Sequence, residues 1–278
     1  MTEFLDVVGG TIAYDVTGDG PLVVLSHGMG DTRTAWRFMT PQLVAAGYRV
    51  ATPDLRGLGE SSVGFPGYSR TATAGDLIAL IRHLGGPATI VGHSYSGGAA
   101  TIAAAREPGL ISGIVELDAF TRAQKLDLIG MLRNGHHRKG MSLLLLAGVF
   151  GSVELWARYL GHAYPGPKPA DWDAQLAAMR ANLSEPGRMK VLQAMGRSAP
   201  TDAGASLAGV RCPALVISGA LDPDWSSPQV EVDGIVAEMQ PGIATSTLID
   251  GAGHYPHVQF PDRVTGLLLS FLKENARA

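Results

Sequence analysis

Short apolar segments alternate with helical patterns along most of this chain, and this alternation restricts the fold more than any other feature of the sequence. Segments that are apolar at every position are typical of strands covered on both faces. Strand patterns lie at residues 22–25, 48–53, 89–91 and 113–117, and helical patterns lie between them at residues 34–46, 71–84 and 97–106. Strands and helices that alternate at this spacing predict a parallel sheet with right-handed crossover connections.

The alternation is interrupted between about residue 119 and residue 205, where the sequence shows helical patterns only. It resumes with strand patterns at 214–217 and 244–249 and with helical patterns at 228–239 and 261–274. We therefore predict one α/β domain formed by residues 1–118 and 206–278, with residues 119–205 inserted into it as a helical cap. Two further strand patterns near the start, at 4–8 and 11–16, are joined by a pair of glycines and predict a hairpin.

The composition argues against a charged macromolecular partner. Of the 278 residues only 17% are charged, and the formal net charge is −3, so we expect neither nucleic acid nor a membrane as partner. The first residues lack the basic segment and long apolar core of a secretory signal, which favours a cytoplasmic location. Cys212 is the only cysteine and forms no internal disulfide. We expect a small-molecule substrate and a monomer or homodimer.

The most specific chemical motif is Gly-His-Ser-Tyr-Ser-Gly at residues 92–97, between a strand pattern and a helical pattern. A sharp turn from strand to helix exposes a serine hydroxyl to a base, and small residues two positions before and after it let the two backbones approach. The motif therefore predicts that Ser94 is a nucleophile. Ser96 departs from the usual G-x-S-x-G pattern. The alternative interpretation is a glycine-rich turn in which serine occurs only because it is small.

Residues 26–30, which follow the strand pattern 22–25, read Ser-His-Gly-Met-Gly and are interpreted as an oxyanion loop. Ligands of open α/β sheets bind outside the carboxyl ends of the strands, where the backbone N–H groups of Met29 and Tyr95 would together bind a substrate oxygen. His27 lies on this loop, so we favour a role in bracing the loop over a role as general base.

Two titratable residues follow later strand patterns in the order that a Ser–acid–His triad of the hydrolase type requires. Asp222 comes after the strand pattern 214–217, and His254 comes after 244–249. In this interpretation His254 accepts the proton of Ser94, and Asp222 fixes the imidazole tautomer. Taken singly, the aspartate is also explained as a loop cap and the histidine as a surface residue. Asp118 is a second possible triad acid, ranked below Asp222.

Taken together, these motifs resemble the alpha/beta-hydrolase superfamily over almost everything outside the cap. The marks of the resemblance are residues 26–30, 53–61, 92–97, 219–222 and 251–254. It implies a mostly parallel eight-stranded sheet flanked by helices, with an inserted helical cap. It also implies that Asp54, Arg56 and Glu60 brace a loop and take no part in the chemistry. A serine at the nucleophile position makes the alkyl-enzyme route of carboxylate-nucleophile relatives unlikely here.

The apolar side chains near the nucleophile and in the cap suggest the kind of substrate. Met29, Tyr95, Phe120 and Trp156 are the expected substrate-binding residues, because small-molecule pockets are lined mainly by apolar and aromatic side chains. Packing between the cap helices explains such residues equally well. No cofactor is expected. No metal is expected either, because His136 and its neighbour His137 point in different directions.

The function that these predictions favour is hydrolysis of a small, fairly hydrophobic ester or lactone through an acyl-enzyme on Ser94. One alternative keeps the same triad for carbon–carbon bond hydrolysis, lyase or perhydrolase chemistry. Another is a ligand receptor whose hydrolysis is slow. The sequence does not decide between them, because the pocket shape depends on how the cap packs.

Overall fold

The computed structural model describes residues 1–123 and 128–275, and in this part of the chain eight strands form one sheet in the order β1-β2-β4-β3-β5-β6-β7-β8. The strands are β1 Glu3–Val7, β2 Gly10–Thr17, β3 Leu22–Ser26, β4 Arg49–Pro53, β5 Ala88–His93, β6 Ile111–Leu117, β7 Ala214–Gly219 and β8 Ala244–Ile249. β2 is antiparallel to both of its neighbours, β1 and β4, and the remaining pairs are parallel. The predicted hairpin and the predicted mostly parallel sheet of eight strands are confirmed.

Helices cover both faces of this sheet. The helices are α1 Met39–Ala45, α2 Arg70–His83, α3 Tyr95–Arg106, α4 Leu128–Arg133, α5 Gly135–Phe150, α6 Val153–Ala163, α7 Trp172–Ser184, α8 Arg188–Arg197, α9 Thr201–Ser206, α10 Pro228–Glu238, α11 Pro256–Gln259 and α12 Pro261–Asn275, with 3₁₀ turns at Arg33–Trp36 and Leu207–Gly209. Successive residues of β3 point to opposite faces. Val24 packs in a core with α2, α3 and α10, whereas Val23 and Leu25 pack in a second core with α1 and α12.

Helices α4 to α9 all lie between β6 and β7, where the sequence predicts the insertion 119–205. Residues 124–127 of that range lie outside the described residues. A third apolar core joins these helices to the loops at the edge of the sheet, and it includes Trp156 and Leu192 from the helical segment and Leu58 and Tyr255 from the loops. Of the helices described, none is long and apolar enough to cross a membrane.

Because β3, β5, β6, β7 and β8 run parallel, their carboxyl ends meet at one edge of the sheet. The oxyanion loop follows β3, Ser94 follows β5, Asp118 follows β6, Asp222 lies beyond β7 and His254 lies beyond β8. The topology thus gathers at one edge residues that are up to 228 positions apart in the sequence, counted from Ser26 at the end of β3 to His254.

Candidate active site

Ser94 is the single residue between β5 and α3. Its φ of 52° and ψ of −114° lie in a region that residues with side chains rarely adopt. Two backbone hydrogen bonds hold it there, because the Ser94 N–H donates to the Leu117 carbonyl at 2.8 Å and the Phe120 N–H donates to the Ser94 carbonyl at 3.1 Å. A serine strained at a strand-to-helix turn is the geometry of a nucleophile elbow.

The close approach of strand and helix at this turn explains the small residues around Ser94. A Cβ atom on Gly92 would lie 2.4 Å from the carbonyl oxygen of Ser96, so only glycine fits at position 92 without a shift of the backbone. The side chain of Ser96 is itself fully buried. Its Oγ donates to the carbonyl oxygen of His27 and accepts a hydrogen bond from Ser26 Oγ at 3.0 Å. The departure from the usual glycine is therefore accommodated by two buried hydrogen bonds.

His254 and Asp222 form a buried hydrogen-bonded pair, with His254 Nδ1 2.9 Å from Asp222 Oδ2. The other oxygen of Asp222 accepts from the Asp224 backbone N–H at 2.9 Å, and the His254 backbone N–H donates to the carbonyl of Ala163 at 3.0 Å. An acid bound at Nδ1 keeps the proton on that nitrogen and leaves Nε2 as the basic atom. His254 and Ser94 line the same cavity.

Asp224, which the sequence interpretation missed, is a second carboxylate beside the same histidine. Its Oδ2 lies 3.4 Å from His254 Nδ1 and accepts a hydrogen bond from the Tyr159 hydroxyl at 2.7 Å. The signal was present in the sequence as a second aspartate two residues after Asp222. No local pattern predicts that it contacts the histidine or that α6 places the Tyr159 hydroxyl against it.

The charges around His254 determine whether it works as a base. Burial alone would lower the pKa of His254, but the attraction of Asp222 and Asp224 outweighs burial and raises it to about 10. A histidine with that pKa would be protonated near neutrality. Burial also raises the pKa of Asp224 to about 7 and the pKa of Asp118 well above its usual value. Protonation of Asp118 or Asp224 would remove part of the attraction that raises the pKa of His254, and a lower pKa leaves more of the imidazole as free base near neutrality.

Asp118, the second possible triad acid, lies beside Asp222 and His254, but its hydrogen bonds are with the end of β7. Its Oδ1 accepts from Ser218 Oγ at 2.7 Å and from the Gly219 N–H at 2.8 Å, whereas its Oδ2 has no hydrogen-bond partner within the described part of the chain. Asp118, Asp222 and His254 bring donor atoms within 4.8 Å of one another. Because His254 Nδ1 and Asp222 are hydrogen-bonded to each other and Asp118 Oδ1 is bound by the end of β7, we interpret the cluster as an acid–base network and not as a metal site.

Met29 and Tyr95 both line the cavity next to Ser94. Tyr95 is the first residue of α3, so its N–H is one of those that a helix leaves without an intrahelical acceptor. The oxyanion loop passes directly over the elbow, since a Cβ atom on Gly28 would lie 2.8 Å from His93 Nδ1 and 3.1 Å from the Ser94 Cβ. The arrangement is compatible with two amides near one substrate oxygen, and the oxyanion hole itself remains a prediction.

The bracing role expected for His27 fits its contacts. Its Nε2 accepts from the Leu55 N–H at 3.0 Å, so its proton lies on Nδ1, which donates to the Gly28 carbonyl at 2.8 Å. Both ring nitrogens are occupied and the ring is fully buried. The next loop is braced similarly, because Asp54 accepts from the backbone N–H of Arg33 and from that of Glu60. Arg56 also forms a bidentate pair with Asp76, with both distances 2.7 Å.

The cavity above Ser94 has a volume of about 730 Å³. All four residues expected to bind substrate line it: Met29, Tyr95, Phe120 and Trp156. Trp156 comes from α6 and stacks on Tyr159, with 5.0 Å between the ring centroids. Much of the remaining lining is apolar and comes from α5 and α8, including Met141, Leu144, Leu145, Val149, Leu192 and Met195. The cavity thus lies between the edge of the sheet and the helices inserted after β6.

The sequence of this chain matches a known protein family and several individual relatives. A family model described as the alpha/beta hydrolase family matches residues 23–267. An uncharacterized protein of Mycobacterium tuberculosis is 32% identical over 163 residues, which are 58% of this chain and 48% of that protein. The chain therefore spans about half the length of that relative. Epoxide hydrolase A of the same organism is 25% identical over an alignment of 305 positions including gaps, which covers 91% of this chain and 90% of the relative.

Two solved structures share the fold at low sequence identity. An esterase from Thermogutta terrifontis superimposes with a TM-score of 0.75 at 24% identity, covering 98% of this chain and 99% of that one. The enol-lactonase from Burkholderia xenovorans superimposes with a TM-score of 0.77 at 20% identity, covering 98% of this chain and 100% of that one.

Proposed function

Because the chain belongs to the alpha/beta hydrolase family, we propose that it is a serine hydrolase that cleaves a small, fairly hydrophobic ester or lactone through an acyl-enzyme on Ser94. One observation carries the proposal. A serine held in strained backbone geometry and a histidine bound to Asp222 line the same cavity. The serine at this position also argues against the carboxylate-nucleophile chemistry of some relatives.

In the proposed reaction, Ser94 Oγ attacks the carbonyl carbon of the ester while His254 Nε2 accepts the hydroxyl proton. Asp222 stabilises the resulting imidazolium through Nδ1–H. The carbonyl oxygen gains negative charge, and the amides of Met29 and Tyr95 donate to it. Collapse of the intermediate expels the alcohol, which takes the proton from His254. Water then attacks the acyl carbon as His254 accepts its proton, and the second intermediate collapses to release the acid while His254 returns the proton to Ser94 Oγ.

The same proposal assigns residues 119–205 as a cap over a core formed by residues 1–118 and 206–278. The helices α5, α6 and α8 supply much of the apolar cavity lining, and the core supplies Ser94 and His254. An apolar lining with few polar groups favours substrates whose acyl or ring part is hydrophobic. Replacing residues on α5 or α8 should therefore change substrate preference more than it changes the chemistry.

The experiment that tests the proposal is a screen of p-nitrophenyl esters of increasing acyl length and of simple lactones, with wild type and Ser94→Ala. We expect ester turnover in wild type and a loss on the order of a million-fold in kcat for the variant. Ser270→Ala, which removes an exposed hydroxyl on α12, is the matched control and should keep turnover near that of wild type. Turnover by Ser94→Ala at the wild-type rate would contradict the proposal. Cyanohydrins and β-diketones in the same screen test the alternative lyase and carbon–carbon chemistries.

A further inference from the structure

Arg70 is a buried cation in the wall of the cavity that contains Ser94. Its side chain is 5% exposed. One guanidinium nitrogen, Nη1, donates to the Ser198 carbonyl at 2.6 Å, and the guanidinium carbon lies 4.4 Å from the centre of the Tyr95 ring. Its Nε has no hydrogen-bond acceptor, and no carboxylate of the described residues lies within 4 Å of it. Among the described residues, the direct contacts of the positive charge are therefore a carbonyl and an aromatic face, and no ion pair.

This placement is unfavourable for a charge that has no counter-ion. Burial lowers the pKa of Arg70, which shows how poorly its environment solvates the cation. Asp202 attracts it from beyond ion-pair distance, and the oxygens of that carboxylate accept from the Thr71 hydroxyl and the Ala203 N–H. Arg70 is also the first residue of α2, at the positive end of the helix dipole, and α2 has no acidic residue in its first turn. Buried charges are normally paired.

The described surroundings of Arg70 supply room for the side chain but no carboxylate at ion-pair distance. Gly98 provides space on α3, because a Cβ atom there would lie 2.8 Å from the Arg70 Cδ. Arg197, which is exposed, lines the same cavity and adds a second positive charge. Within the described cavity lining, the one acidic residue is Asp224, which is engaged with Tyr159 and His254. The cavity therefore combines an apolar lining with a buried cation that forms no ion pair with the described residues.

We propose that Arg70 binds a carboxylate carried by the substrate, so that the substrate class is an ester or lactone that also bears a free carboxylate. The inference rests on the proposed hydrolase function and deepens it. A ligand carboxylate would supply a counter-charge in direct contact with Arg70. A guanidinium is suited to such a contact, because it forms planar, charge-assisted hydrogen bonds with a carboxylate. The apolar lining would hold the hydrocarbon part of the same molecule.

The test compares two esters that differ only in this charge: mono-p-nitrophenyl adipate and its methyl ester. Wild type should prefer the anionic ester by at least about tenfold in kcat/KM, which is the scale of one charged hydrogen bond. Arg70→Met should abolish that preference while it still hydrolyses the methyl ester, and Arg70→Lys should retain part of it. Arg197→Met is the matched control, because the same substitution is made at an exposed arginine in the same cavity. It should leave most of the preference intact.

Binding of adipate, measured by calorimetry with Ser94→Ala, separates this inference from the proposed function. If neither ester is hydrolysed but adipate binds and Arg70→Met removes the binding, the carboxylate site stands and the hydrolase proposal fails. If wild type shows no preference for the anionic ester and no binding of adipate, the carboxylate site is wrong, even if Arg70→Met does not fold. Loss of the preference in Arg197→Met but not in Arg70→Met would also overturn it.

Discussion

Ser96 Oγ donates a hydrogen bond to the carbonyl oxygen of His27, and the two oxygen atoms are 2.5 Å apart. This bond joins the turn that carries Ser94 to the loop that carries Met29. The nucleophile and the predicted oxyanion amide are thus held together by a side chain at a position where the usual motif has glycine. The geometry of the site therefore depends on Ser96, because this side chain fixes the elbow relative to the oxyanion loop. Ser96 has no role in the proposed chemistry.

Ser96→Ala should destabilise the fold and lower kcat/KM. The substitution removes the partner of the buried His27 carbonyl and of the Ser26 hydroxyl, and a buried polar group without a partner costs about 1–3 kcal/mol. Urea unfolding measures the change. Ser270→Ala removes an exposed hydroxyl on α12 that donates to the Gly266 carbonyl, and it should change stability by less than about 0.5 kcal/mol. Equal effects of the two substitutions would contradict this explanation.

Gly92→Ala should impair both folding and turnover, because the added methyl group would lie 2.4 Å from the backbone oxygen of Ser96. The strand and helix would have to separate, which displaces Ser94. Gly75→Ala is the matched control, since Gly75 lies on the exposed side of α2 with open space around it. That change should stabilise the helix by about 0.5–1 kcal/mol. Thermal unfolding and ester turnover of both variants provide the comparison, and full activity in Gly92→Ala would disprove the close approach.

The buried carboxyl group of Glu116 should make the free energy of unfolding depend on pH. It is fully buried on β6, and burial raises its pKa from 4.5 to about 7, although Thr101 and Thr121 donate to it. The folded state therefore holds the proton more tightly than the unfolded state, and stability falls as the pH rises from about 4.5 to about 7. Glu116→Gln should remove this loss. Urea unfolding measures the free energy of unfolding of Glu116→Gln and of wild type. The difference between them should change by about 3 kcal/mol in favour of the variant from pH 4 to pH 8. A constant difference would show that Glu116 does not titrate in this range.

Asp224→Asn should move the acid limb of the kcat/KM profile to lower pH. Burial lowers the pKa of His254 while Asp222 and Asp224 raise it, so removing one of these charges lowers the pKa at which the base becomes active. The other groups that face the histidine remain unchanged: Asp118, Asp222, His93, Tyr159, Tyr255 and His257. An unshifted profile would mean that Asp224 is neutral throughout the working range of the enzyme.

The sequence predicted well the features that depend on the order of elements. Ser94, Asp222 and His254 follow the parallel strands β5, β7 and β8, so the sheet alone brings them to one edge. Features that depend on how α6 packs were not predictable. The contact between Tyr159 and Asp224 joins residues 65 positions apart, and no local pattern encodes it. Arg70 lies just before the predicted helix 71–84, and no sequence pattern indicates that it is buried in the cavity wall without an ion-pair partner.

The central claim is that Ser94 is the nucleophile, and labelling with a fluorophosphonate probe tests it most directly. The tryptic peptide 83–106 contains both Ser94 and Ser96, so fragmentation by mass spectrometry locates the adduct on one or the other. We predict stoichiometric modification of Ser94, no modification of Ser94→Ala, and slower modification of His254→Ala because the base is missing. An adduct on Ser96, or undiminished labelling of the Ser94→Ala protein, would contradict the account.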